Sequence, residues 1–149
     1  MVARVGTVAF RGMEVLPITV EVHVANGLPA FTIVGLPDKA VAESKERVRA
    51  ALQSSGLSLP AKRITVNLAP ADVLKEGSHF DLPIALALLT ACGVLPQDAT
   101  DNLTVMGELG LDGRLAGVAG VLPAAVDAAA RNTGFVCPCL LYTSDAADE

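Results

Sequence analysis

Lys39, Lys45, Arg47, Arg49, Lys62, Arg63 and Lys75 are seven of the chain's eleven basic residues, and between positions 39 and 75 only Glu43, Glu46 and Asp72 oppose them. Cations gathered in this way can hold phosphate groups, with an affinity that depends on salt and not on base sequence. The same window has no aromatic residue on which a base could stack. Glu43 and Arg47 also stand four apart, the spacing of a supporting ion pair on a solvated helix face. The cluster therefore reads first as a solvated or subunit-facing surface, with direct contact to DNA as the other candidate role.

Other polar residues carry less chemistry. Ser78 precedes an apolar helical stretch and reads as a loop hydroxyl that helps to cap it, and His79 reads as an exposed loop residue or a polar contact. His23 falls on the solvent side of a strand, too far in sequence from His79 to suggest a metal site. Cys137-x-Cys139 is at most half of a metal site, and no acidic or histidine cluster has the spacing of magnesium ligands. A phosphate-cradling Walker A loop needs a Gly-Lys pair, and the chain contains none. No catalytic, cofactor-binding or metal-binding residue is assigned on these patterns.

The 149 residues carry a net charge of −5, 52% hydrophobic residues and only 3% aromatics, which describes one folded domain rather than a disordered or fibrous chain. The longest nearly apolar stretch, residues 82–96, includes Thr90 and Gly93 and is shorter than the roughly 18–20 residues of a membrane-spanning helix. The first residues read as a strand rather than a secretory signal, so no membrane partner and a cytoplasmic location are expected. Three cysteines do not make the paired framework of a secreted, disulfide-stapled domain.

The elements that must position the basic cluster follow from periodicity. Residues 2–10 and 14–24 read as strands, the second alternating Ile18, Val20, Val22 and Val24 against Thr19, Glu21 and His23. Asn26-Gly27 predicts a tight hairpin into a strand over 30–34, giving three antiparallel strands. Pro37 is expected to open a helix that buries Val41, Ser44, Val48, Ala51, Leu52 and Ser55 and stops at Gly56. Residues 63–68 predict a fourth strand. A second helix, apolar nearly all round and therefore internal, runs from an N-cap at Asp81 to about Cys92. Residues 103–118 predict a second hairpin turning at Asp112-Gly113, and Pro123 opens a third helix that ends before Gly134.

Residues 26–41, 60–72, 75–85 and 107–115 closely resemble, in wording and order, the ComM/YifB family of magnesium-chelatase-like AAA+ ATPases. The resemblance spans residues 1–135 and points to the N-terminal domain of that family. It implies an α+β fold, a two-layer Lon-protease-like arrangement shared with domain 2 of a ribosomal protein, here truncated before its last strand. It also implies a hexameric AAA+ motor in cis that binds ATP and Mg and drives DNA branch migration in natural transformation, none of it encoded in this fragment. A magnesium-chelatase-type subunit is a further implied role.

The Lon likeness raises a Ser/Lys peptidase as the alternative. In that alignment Lys75-Glu76-Gly77-Ser78-His79 matches the Lon nucleophile loop with Ser78 one position early, and Leu122 falls where Lon carries its catalytic Lys. Gly77, Ser78 and His79 are accordingly expected to be a vestigial active-site loop, and the fragment is expected not to be an enzyme. Residues 136–149 read as a non-native tail, with 139–149 resembling a translated sequencing adapter; without that adapter the formal charge is −2.

Overall fold

The structure is a computed structural model that describes residues 2–138. The adapter-like stretch 139–149, including Cys139, lies outside the described residues. Twelve elements follow in order among those described: β1 (Val2–Arg11), β2 (Glu14–Ala25), β3 (Ala30–Val34), α1 (Lys39–Ala42), α2 (Ser44–Ser54), β4 (Arg63–Ala69), α3 (Asp81–Ala91), β5 (Leu103–Val105), β6 (Glu108–Leu109), β7 (Leu115–Ala116), α4 (Val121–Ala130) and β8 (Gly134–Val136). The fold is α+β, as expected.

A six-stranded sheet runs in the order β3-β4-β2-β1-β5-β8. β1 and β2 form a long antiparallel ribbon in which Val5 faces Val20 and Ala3 faces Val22. Alternation puts Ala3, Val5, Ile18, Val20, Val22, Ile64, Val66 and Leu68 on one face. There Val48, Ala51 and Leu52 of α2 and Ile84, Ala85 and Leu88 of α3 close the principal core. A smaller cluster of Val8, Met106 and Ala124, flanked by Phe10, Val118 and Phe135, lies on the other face, beneath α4. Among the described residues, no helix is long and apolar enough to cross a membrane.

Several expectations are corrected. Asn26-Gly27 does not close a hairpin: β3 pairs in parallel with β4 (Phe31 beside Ile64), and β4 lies antiparallel between β3 and β2 (Val22 beside Val66). The helices between β3 and β4 make the crossover that brings β4 back parallel to β3. β4 can occupy that central position because Ile64, Val66 and Leu68 are all buried. Pro37 does not open the first helix. It bridges to Lys75, and Asp38 is the N-cap, its Oδ1 accepting from the Val41 N–H at 2.8 Å. The helix is also broken at Glu43 into α1 and α2, although the buried positions Val41, Ser44, Val48, Ala51 and Leu52 stand as expected. Ser55 lies beyond them at the C-cap, exposed.

Only part of residues 103–118 forms the expected hairpin. β5 joins the main sheet parallel to β1, and β6 and β7 pair around Asp112-Gly113. β8, which contains Phe135, pairs in parallel with β5 at one end of the sheet. β8 thereby covers an edge that would otherwise present unpaired backbone groups.

Candidate functional site

The basic cluster divides once the chain is folded. Lys39, Arg49, Lys62 and Arg63 are exposed and Lys45 is half-buried, whereas Lys75 is wholly buried and Arg47 is mostly so. Lys75 and Arg47 therefore leave the candidate surface. The Lys75 ammonium donates to the Pro70 carbonyl, and its backbone ties the loop to the α1 approach through Lys75 N–H to Leu36 O at 3.0 Å and Asp38 N–H to Lys75 O at 2.8 Å. Burial pushes the Lys75 pKa down, opposed by the charge of Asp72.

Arg47 turns inward because Asp81, the first residue of α3, is fully buried beside it. Arg47 Nε donates to Asp81 Oδ2 at 2.6 Å, Nη2 donates to Oδ1 at 3.1 Å, and Nη2 reaches the Ala40 carbonyl at 2.7 Å. The Ser44 hydroxyl donates to Oδ1, and the Leu109 N–H donates to Oδ2 at 3.0 Å. The hydrogen bonds to Asp81 raise the Arg47 pKa against the effect of burial. Asp81 is thus no N-cap; Phe80 holds that position, and the carboxylate joins α2, α3 and β6. Sequence reasoning missed this role. The available signal was an acidic residue at the head of an otherwise apolar, internal helix, where a carboxylate needs a partner.

The loop at 76–79 borders a separate cavity of about 470 Å³ between Phe10, Ser78, His79, Gly120 and Pro123. His79 is buried, not an exposed loop residue. Its Nε2 meets the Val8 carbonyl at 2.7 Å, and since a carbonyl only accepts, that nitrogen carries the proton. The ring lies against Phe80 and edge-on to Phe10. Burial lowers its pKa, opposed by the Val8 carbonyl and by Asp81 and Asp38, which favours the neutral imidazole.

The Ser78 hydroxyl donates to the Glu108 carboxylate instead of capping α3. Leu122, on α4, is 75% exposed. An apolar side chain there can take no proton, and the buried Lys75 directs its ammonium to Pro70, so no amine is hydrogen-bonded to Ser78. Among the described residues, no group of three or more His, Cys, Asp or Glu is placed to hold a metal ion.

Two of the exposed basic residues meet at a different feature. Arg49 from α2 and Lys62 before β4 line a cavity of about 200 Å³ with Pro29, Phe31, Leu59 and Pro60. The Arg49 guanidinium lies 5.9 Å from the centre of the Phe31 ring and pairs with Glu46 at 3.2 Å. Phe31 lies outside the basic window in sequence, and only the β3–β4 pairing brings it to these cations. Lys45 stands one turn before Arg49 on α2.

The family model described as subunit ChlI of Mg-chelatase matches residues 20–139. The uncharacterized protein YifB of Escherichia coli K12 is 51% identical over 124 residues, which cover 83% of this chain and 24% of that protein. Competence protein ComM of Haemophilus influenzae is 51% identical over 116 residues, covering 78% of this chain and 23% of ComM. An uncharacterized protein of Mycobacterium tuberculosis H37Rv is 41% identical over 142 residues, covering 95% of this chain and 27% of its own length. The chain spans about a quarter of the length of the curated relatives it matches. With the family model spanning most of the chain and half of the aligned residues shared with YifB and ComM, the chain belongs to the ChlI family, among its ComM/YifB members.

Proposed function

We propose that the chain is a non-catalytic accessory module that presents a basic surface to DNA, alongside a hexameric AAA+ motor carried in cis by a longer parent protein. In that parent, ATP and Mg would be bound by the motor, and the joint task would be helicase-driven branch migration during natural transformation. The supporting observation is the sorting of the cations: Lys39, Lys45, Arg49, Lys62 and Arg63 remain outward-facing while Arg47 and Lys75 are turned to internal duties. A ComM/YifB relative named as a competence protein fits a DNA-handling role. A non-catalytic reading is supported by Ser78, whose hydroxyl is hydrogen-bonded to a carboxylate and has no amine partner.

Binding of labelled DNA by the 149-residue chain, measured over a range of salt concentrations, tests this reading. Replacing Lys45, Arg49, Lys62 and Arg63 together by Ala should weaken binding and reduce the salt slope by about one for each phosphate that is no longer neutralised. Lys75→Met should leave affinity unchanged. If the fourfold variant binds DNA as well as the unaltered chain, the surface instead serves contacts between subunits.

A further inference from the structure

Resting on the DNA reading, we infer that the cavity between Arg49 and Lys62 receives one unpaired base of a single strand while the two cations hold the flanking phosphates. The cavity is about 200 Å³. It is smaller than the roughly 300 Å³ at which drug-sized ligand sites begin and equals the share of about seven waters. A single flat ring system matches this space better than a dinucleotide.

Its walls suit a base. Pro29, Leu59 and Pro60 are apolar, and the buried Phe31 ring, over which the Arg49 guanidinium lies, backs the cavity against the core. The rim is cationic on two sides, with Arg49 on the helix and Lys62 on the strand approach. The charge that answers Arg49 is Glu46, in a solvent-exposed pair three residues apart. Such a pair is weak enough for the guanidinium to exchange it for a phosphate. Bases inside a duplex are stacked and cannot enter a recess, so occupancy selects single-stranded or locally opened DNA. Apolar contact with one base adds to a backbone term that would otherwise be indifferent to bases.

The test compares three probes on the 149-residue chain: an oligothymidine of about fifteen nucleotides, an abasic strand of equal length and charge, and a duplex. The oligothymidine should bind at least about fivefold tighter than the abasic strand. The chain has no Trp, so Leu59→Trp places a single reporter at the cavity wall; its emission should be quenched by oligothymidine and not by the abasic strand. The probe comparison stands without this variant should it fold poorly. Equal affinity for oligothymidine and abasic strand, lowered alike by Lys62→Ala, would overturn the cavity inference while leaving the DNA surface intact. Duplex bound as tightly as the single strand would overturn it as well. Absence of binding to all three probes would remove the DNA reading itself, and the inference with it.

Discussion

Arg47 and Asp81, thirty-four positions apart, form a two-pronged ion pair at 2.6 and 3.1 Å that joins α2 to α3. Asp81 is fully buried, and its oxygens also accept from Ser44 and from the Leu109 backbone. The pair therefore lies on the path from packing to function, because it removes one cation from the outer surface and fixes the helix that carries Arg49. Removing Arg47 strands the buried Asp81 carboxylate, so Arg47→Ala is expected to destabilise the fold by about 3–5 kcal/mol, read as a lower urea midpoint. Asp81→Ala leaves the Ser44 hydroxyl and the Leu109 N–H without their acceptor and should also lower the midpoint, although Arg47 keeps Glu43 and the Ala40 carbonyl. Replacing both by apolar residues of similar size should cost much less than the sum of the single changes, because no unpaired charge remains.

Protonation of His79 should weaken the fold in mild acid. Burial lowers its folded-state pKa below the ordinary value of 6.5. Between the unfolded and folded pKa values the unfolded chain binds more protons, so stability rises with pH across that window. Stability is expected to decline as pH falls below about 6.5 and to stop declining from this cause once the folded-state pKa is passed. His79→Gln retains a donor for the Val8 carbonyl and cannot titrate there, so urea midpoints measured from neutral pH downward should show a flatter profile in the variant.

Gly35 follows β3 with φ +106°, and a Cβ added there would run into the Leu68 carbonyl oxygen of β4. Backbone on both sides leaves no flexible side chain to give way. Gly35→Ala should destabilise the protein by at least about 2 kcal/mol, measured by thermal or urea unfolding. A neutral result would mean that β3 and β4 are not paired as described.

Peptidase chemistry at Ser78 should be absent. Its hydroxyl is given to Glu108, and no amine is hydrogen-bonded to it among the described residues. Unfolded casein should survive incubation with the chain, and a serine-reactive probe should leave Ser78 unlabelled. Casein turnover that disappears in Ser78→Ala would restore the peptidase reading.

Local signals are legible wherever a local cause sets the outcome. The alternation at Ile18, Val20 and Val22, the buried stripe Val41, Ser44, Val48, Ala51 and Leu52, and the internal helix at residues 81–91 all stand in the structure. The hairpin expected at Asn26-Gly27 does not form because pairing energy is decided between strands, and β4 offers both β2 and β3 an apolar partner. The place of Ser78 before a helix suggests a cap, but a carboxylate thirty residues onward accepts its hydrogen bond. Charge alone groups Lys75 with the surface cations, and burial moves it inside.

What the residues by themselves determined is the kind of protein: an α+β domain with ComM/YifB wording, a concentration of cations between 39 and 75, and no Gly-Lys pair for a phosphate loop. Composition and short-range periodicity are local properties, so no folding is needed to read them. Tertiary structure alone decided which cations face outward and which aromatic meets them. Desolvation and partner geometry depend on residues distant along the chain: Asp81 draws Arg47 inward, and the β3–β4 pairing sets Phe31 beside Arg49.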